Sequence, residues 1–154
     1  TELGYDYIMP SPELTGVQLA SIAEHSALAG RMLIGIHGRT PLMQLLHCPI
    51  KEHKGCQNCM GIAGAVTDEA GRVFPLVNIR YPDNCLVRML NCRTTDLIDL
   101  FDRIPQTAGY VLNFVGEQID EVTERIAAAN EAKNGKRQTQ YPNSTRGHWM
   151  RKVE

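Results

Sequence analysis

Apolar positions change their period several times along this chain, and each change marks an element. Tyr5-Asp6-Tyr7-Ile8-Met9 is rich in aromatic and apolar side chains and stops at Pro10, which predicts a short strand. Ser11-Pro12 turns the chain. Thr15 and Gln18 have capping-box spacing, and Leu19, Ile22 and Ala23 put one apolar face on the helix that follows, ended by Gly30. Arg31 to Ile36 is a second strand, apolar enough to be covered on both faces. Strand, helix and strand in this order are the signature of a parallel βα unit.

The pattern breaks after Thr40, and Pro41 to Met60 shows no sustained period. Ala65-Val66-Thr67, the turn Asp68 to Gly71 and Arg72-Val73-Phe74 then predict a β-hairpin, with Gly71 supplying the positive φ of the turn. Pro75 places the second hairpin strand at an edge or bulge. Leu86 to Leu90 is another strand. Thr94 or Thr95 caps a helix with Leu97, Ile98, Phe101 and Ile104 on one face. Tyr110 to Phe114 is the last strand. The last helix starts near Glu117, carries Ile119, Val122, Ile126 and Ala129 at spacings of three and four, and stops at Asn134-Gly135.

The elements add up to an α/β chain: about four βα elements, a partial (βα) TIM-barrel-like fold interrupted by a cysteine-containing β-hairpin insert. Half a barrel leaves sheet edges open. It therefore predicts a need for missing N-terminal sequence, another copy or another chain to complete it. Residues 1–135 form the barrel portion, and 136–154 form a basic C-terminal tail or lid carrying Lys136, Arg137, Arg146, Arg151, Lys152 and the single Trp, Trp149.

Composition narrows the class. The chain has 154 residues, 43% hydrophobic and 21% charged, enough for one globular core. A net charge of −1 gives no chain-wide field towards nucleic acid or membrane, and no apolar run is long enough to span a bilayer. The first residues, TELGYDYIMP, have no secretory pattern, and the start at Thr1 predicts a piece of a longer protein. Five cysteines are an odd count, which argues against a secreted disulfide framework and for a cytoplasmic chain.

Four of those cysteines carry the candidate chemistry. Cys48, Cys56, Cys59 and Cys85 are spaced C-x7-C-x2-C-x25-C, with Cys92 the leftover thiol. The close pair Cys56 and Cys59 follows Gly55, whose freedom lets the backbone turn sharply. Four thiolates suit a tetrahedral zinc or an iron–sulfur cluster, and His37 or His47 is an alternate ligand. The plainer reading is a set of reduced, uncoordinated thiols. No H-E-x-x-H and no G-x-S-x-G is present; a Cys–His nucleophile at Cys48 with His47 or His53 is the remaining protease arrangement, and a thiolate held by a metal is unavailable for attack, so the catalytic residues stay unassigned.

The ordered motifs resemble a known family. His37-Gly38-Arg39-Thr40-Pro41-Leu42-Met43, then His47-Cys48-Pro49, then Cys56-Gln57-Asn58-Cys59 are similar to a block of the collagenase-like peptidase family, peptidase U-32. Ser11-Pro12-Glu13-Leu14, the hairpin Asp68 to Pro75, Leu90-Asn91, Glu117 and Thr145-Arg146-Gly147-His148-Trp149 continue the likeness in order, and it covers the C-terminal part of such proteins. The resemblance implies a barrel-like fold and an enzyme. Some members are named as collagenase-like proteases acting on peptides. Others take part in RNA-base hydroxylation of tRNA or rRNA, or in oxygen-independent ubiquinone hydroxylation with a four-iron (4Fe-4S) cluster on cysteines.

The hydroxylation reading is the favoured one, with an RNA base or small aromatic ring as substrate. A peptidase and a zinc-stabilised binding or dimerisation module are the alternatives. In a barrel, working residues sit at the C-terminal ends of strands. Glu13, Arg39 and Glu117 are therefore the expected substrate-binding residues, facing one cavity, with Arg39 pairing to an anionic group.

Overall fold

The computed structural model describes residues 4–56, 59–81 and 85–151. It divides into two compact units. Unit 1 comprises Thr1–Gly38, Thr95–Phe114 and Gln118–Glu154; unit 2 comprises Arg39–Thr94 and Val115–Glu117.

Unit 1 begins with α1 (Gly16–Ala23) and the single turn α2 (Ser26–Ala29). Thr15 caps α1 as its spacing predicts: its hydroxyl accepts from the Gln18 N–H, and the Gln18 side chain accepts from the Thr15 N–H at 2.9 Å. β1 (Leu33–Gly38) follows. Ile34 and Ile36 enter the core while Gly35 is exposed, so β1 is covered mainly on one face until His37, which is also buried. Ile8 makes a single parallel bridge to Met32, so the predicted strand at residues 5–9 is reduced to one pairing.

In unit 2, β2 (Pro41–Leu45) leads to the short helix α3 (Pro49–Lys54), then β3 (Gly61–Thr67), β4 (Val73–Arg80) and β5 (Cys85–Leu90). These strands form an antiparallel sheet in the order β2-β5-β4-β3. The hairpin turn is the one the sequence predicts. Gly71 has φ +75°, and Asp68 Oδ1 accepts from the N–H groups of Ala70 and Arg72. The Arg72 N–H holds the Asp68 carboxyl below its usual value, helped by the Arg72 side chain and the Ala70 N–H against a raising desolvation. The turn's contribution is therefore complete above the unfolded carboxylate range of about 3.9 and is lost as pH falls through the lower folded value.

The chain then returns to unit 1 as β6 (Thr95–Asp96), a 3-10 helix (Ile98–Arg103), β7 (Gly109–Leu112) and α4 (Ile119–Lys133). The sheet order is β6-β1-β7, with β6 antiparallel and β7 parallel to β1. α4 ends as predicted at Asn134 and Gly135. Gly135 has φ +83°, and the N–H groups of Gly135 and Lys136 close on the carbonyls of Ala132 and Glu131.

The partial (βα) TIM-barrel-like expectation is overturned: the chain is an α+β arrangement of two small sheets, one mixed and one antiparallel. β1 and β7 are the only paired strands running parallel among the described residues. A barrel needs a crossover helix before each parallel strand. The segment expected to supply one at Leu97–Ile104 is instead a six-residue 3-10 helix kinked at Leu100, because Thr95 and Asp96 are drawn into β6. β5 pairs with β2 and β4 rather than joining β1. The antiparallel hairpin is thus half of a sheet rather than an insert in a barrel, and the partner expected to complete that barrel loses its basis.

The C-terminal segment packs into unit 1. Trp149 is buried with Leu19, Met32, Ile98 and Ile104, its carbonyl accepts from the Gly16 N–H, and Thr145 bridges Thr95. Arg146 clamps Asp99 with both terminal nitrogens. A Cβ built on Gly16 would lie 2.6 Å from Trp149 Cε2, inside contact distance of a ring that the core holds on its other side. Gly16→Ala is therefore expected to destabilise by about 1–3 kcal/mol, overpacking outweighing the better helix propensity of alanine. Urea denaturation checks it; a variant as stable as the parent would show that the indole gives way freely.

Candidate functional site

The register of the antiparallel sheet sets where the cysteines lie. Leu45 pairs with Val87, Val87 with Asn78, and Asn78 with Gly61, which makes one row across all four strands. Cys48 lies three residues beyond Leu45, Cys59 two before Gly61, and Cys85 two before Val87 and opposite Arg80. All three therefore fall towards the same end of the sheet, Cys85 within its last β4–β5 rung and Cys48 and Cys59 outside the strands. Side chains two apart on a strand share a face, and directly paired residues do too. Cys85 thus shares its face with Val87 and Asn78.

Asn78 joins this end to Cys59. Only 4% exposed, it directs Nδ2 to the Cys59 carbonyl at 3.1 Å and to Cys59 Sγ at 3.2 Å. Its Oδ1 has no hydrogen-bond partner among the described residues. Cys48 precedes α3, where Pro49 takes the first turn and needs no donor. Gly55 ends that helix at φ +75°, so the sharp turn expected before the cysteine pair is present. Cys56 is exposed, whereas Cys48, Cys59, Cys85 and Cys92 are half-buried, and none of the five is disulfide-bonded. Gln57 and Asn58, between the paired cysteines, and residues 82–84, before Cys85, lie outside the described residues. Among the described residues no three His, Cys, Asp or Glu side chains lie together as an ion-holding group.

The alternate ligands separate. His47 is in unit 2, exposed, with Nε2 at 3.2 Å from Glu52. His37 is in unit 1 and commits Nδ1 to Asp96 Oδ2 at 2.7 Å. The three expected substrate-binding residues also take local roles. Glu13 belongs to unit 1 and is exposed. Arg39 and Glu117 belong to unit 2. Arg39 spends NH1 on the carbonyls of Asn91 and Cys92, at 2.9 and 2.7 Å, tying off the end of β5. Glu117 accepts from the Val115 N–H.

Sequence reasoning missed a buried charge network in unit 1. Asp96 is fully buried; besides His37 it faces Arg125 NH1 at 3.6 Å and accepts from the Ile98 N–H. Arg125 stacks over Tyr141 at 4.5 Å from the ring centroid, and the His37 ring lies between Phe114 and Tyr141, 5.2 and 5.7 Å away. A histidine held by an acid is a familiar general base. With a side chain only 1% exposed, this one ties β1 to β6 through Asp96 as a clamp. The available signal was Arg125 itself, three residues after Val122 and four before Ala129 in the helical stripe. A separate cleft of about 430 Å³ in unit 1, between the 3-10 helix and the turn after α4, is lined by Phe101, Arg103 and Arg137 and by none of the expected site residues.

The chain matches no protein-family profile, no curated protein and no solved structure. No helix among the described residues is long and apolar enough to cross a membrane.

Proposed function

We propose that this chain is the metal-bearing part of a peptidase U-32-like enzyme that hydroxylates an RNA base or a quinone ring. Cys48, Cys56, Cys59 and Cys85 would hold a 4Fe-4S cluster. The observation that supports the reading is the sheet register, which puts three of these cysteines towards one end of a single sheet. The fourth, Cys56, follows Gly55 and stands three positions before Cys59 in the sequence.

The donors suit the group in kind but are not gathered in this structure: all four cysteines are described, and no three ligand side chains lie together among the described residues. Four thiolates without a competing carboxylate suit a cluster or zinc, and N–H···S bonding of the kind Asn78 makes to Cys59 is a common support for such ligands. When bound, a cluster supplies single electrons, which a hydroxylation without oxygen requires. The chain's own contribution is to hold the ligands: Gly55 turns the backbone into the cysteine pair, β5 carries Cys85 and Asn78 anchors Cys59. Reduced thiols of this kind accord with a cytoplasmic location.

The test is metal analysis and a visible spectrum of anaerobically purified protein. A brown preparation is expected to lose nearly all bound iron and its visible absorbance in the Cys56→Ser/Cys59→Ser variant. A colourless protein holding one zinc through the same cysteines would favour a folding or dimerisation module. Full metal retention in the serine variant, together with cleavage of gelatin, would establish the peptidase instead.

A further inference from the structure

We propose that the cleft of unit 1, between the 3-10 helix and the turn after α4, is a binding site for a small phosphate monoester with an apolar body. Such a site is independent of the cysteines, all of which belong to unit 2. At about 430 Å³ the cleft has the size of a small-ligand pocket. Most of the charge around it is already committed. Arg146 holds Asp99 with both terminal nitrogens. Glu131 accepts from Lys136 Nζ at 2.7 Å and from Gln138 Nε2 at 3.1 Å. Free carbonyls at the end of α4 would repel an anion, but the N–H groups of Asn134, Gly135 and Lys136 close on the carbonyls of Asn130, Ala132 and Glu131. Arg103, Arg137 and Asp102 also line the cleft, and none of the three has an ion pair or a side-chain hydrogen bond among the described residues. Two guanidiniums against one carboxylate leave an excess of positive charge.

The backbone that carries these arginines is held in place. Lys136 and Gln138 are both tied to Glu131, so Arg137 stands between two anchored neighbours. Arg103 ends the 3-10 helix, whose first residue, Ile98, is part of the core. Little backbone ordering is then left to oppose binding. A guanidinium presents a planar fork of donors that matches phosphate oxygens two at a time, and it stays charged at any working pH. Beside the arginines the cleft offers apolar surface from Phe101, Leu100 and Ala132. The Phe101 ring is itself braced edge-on by Tyr110, with centroids 4.7 Å apart. A charged head and an apolar body are thus both provided for, and an aromatic body gains from stacking on or abutting a fixed ring.

Phenyl phosphate is the probe. The full chain, labelled with nitrogen-15, is titrated with it at about 0.15 M ionic strength, where loose surface attraction is screened. Saturable shifts are expected at the amides of Ile98–Arg103 and residues 135–138. Inorganic phosphate should bind about 2- to 10-fold more weakly for want of the ring. Benzoate, with one charge in place of two, should also bind more weakly. Arg103→Gln and Arg137→Gln are each expected to weaken phenyl phosphate by about 3- to 10-fold. Asp102→Asn should tighten it, because a like charge is removed. All three positions are exposed, and Trp149 emission checks that each variant is folded. Unchanged affinity in the folded Arg103→Gln/Arg137→Gln double variant would overturn the site, and so would weaker binding by Asp102→Asn. Benzoate binding as tightly as phenyl phosphate would overturn the choice of phosphate. Should the variants unfold, the unsubstituted protein decides: shifts that never saturate, or that spread evenly to basic residues away from the cleft, overturn the proposal.

Discussion

Replacing Asp96 by alanine is expected to destabilise unit 1 by about 3–5 kcal/mol, because it strands a buried cation. Asp96 is fully enclosed, and its carboxylate serves His37, Arg125 and the Ile98 N–H together. Arg125 is itself buried, with Nε unpartnered among the described residues, and its other carboxylate, Glu124 at 3.8 Å, is exposed and screened by solvent. Against a whole stability of about 5–15 kcal/mol, such a loss takes a third or more of what holds a domain together. Adding Arg125→Met to Asp96→Ala removes the stranded charge and should recover part of the loss, with a coupling of about 0.5–3 kcal/mol. Urea denaturation of the four proteins in the cycle measures both numbers. An Asp96→Ala cost below about 1 kcal/mol would mean that the network is hydrated and is no clamp.

Trp149→Ala is expected to cost about 3–5 kcal/mol, the usual price of truncating a buried aromatic side chain. The indole is 8% exposed and lies against Gly16 at the first turn of α1. Its removal should loosen α1 first, so amide exchange at Leu19 and Ala20 should quicken before exchange in β1. Trp149 is the only tryptophan, so the parent protein carries its own reporter: emission should be blue-shifted when folded and move red in a single step on unfolding. A truncation after Gly135 that retained full stability would contradict this picture and restore residues 136–154 to the status of a detachable tail.

Local signals were readable from the sequence where they are carried by a few neighbouring residues. Thr15 with Gln18, the turn at Asp68–Gly71 and the stop at Asn134-Gly135 are each decided within about five positions, and each stands where its chemistry puts it. Pro75 is more instructive. Its strand is interior to the sheet, yet the β4–β5 pairing begins only at Leu76, so the missing N–H falls where β4 has β3 alone as a neighbour.

What failed needed tertiary information. β2 is an edge strand with Leu42 and Met43 half exposed, so no burial pattern marked it. The buried face of α4 is made by Arg125, Ala128 and Ala129, with Arg125 paired to Asp96 on a different segment, and it leaves Ile119 74% exposed. Spacing along the chain says nothing of a pair such as His37 and Asp96, 59 positions apart. The barrel was inferred from element order, and order does not fix pairing partners when β5 has a closer antiparallel neighbour. The cysteine spacing carried no register: three of the four cysteines lie at one end of the antiparallel sheet, and among the described residues no three ligand side chains lie together.

The pairing of Gly38 with Thr95 in the β1–β6 ladder carries one more implication. The chain leaves unit 1 just after one of these residues and re-enters at the other, so the 56 residues of Arg39–Thr94 depart and return across a single rung. Ladder hydrogen bonds already hold those two points together, and the entropy of loop closure changes only slowly with loop length. Unit 1 is thus nearly indifferent to how long the excursion is. The segment Arg39–Thr94 is inserted at a hairpin position, where lengthening or shortening it changes the closure cost of unit 1 only slightly.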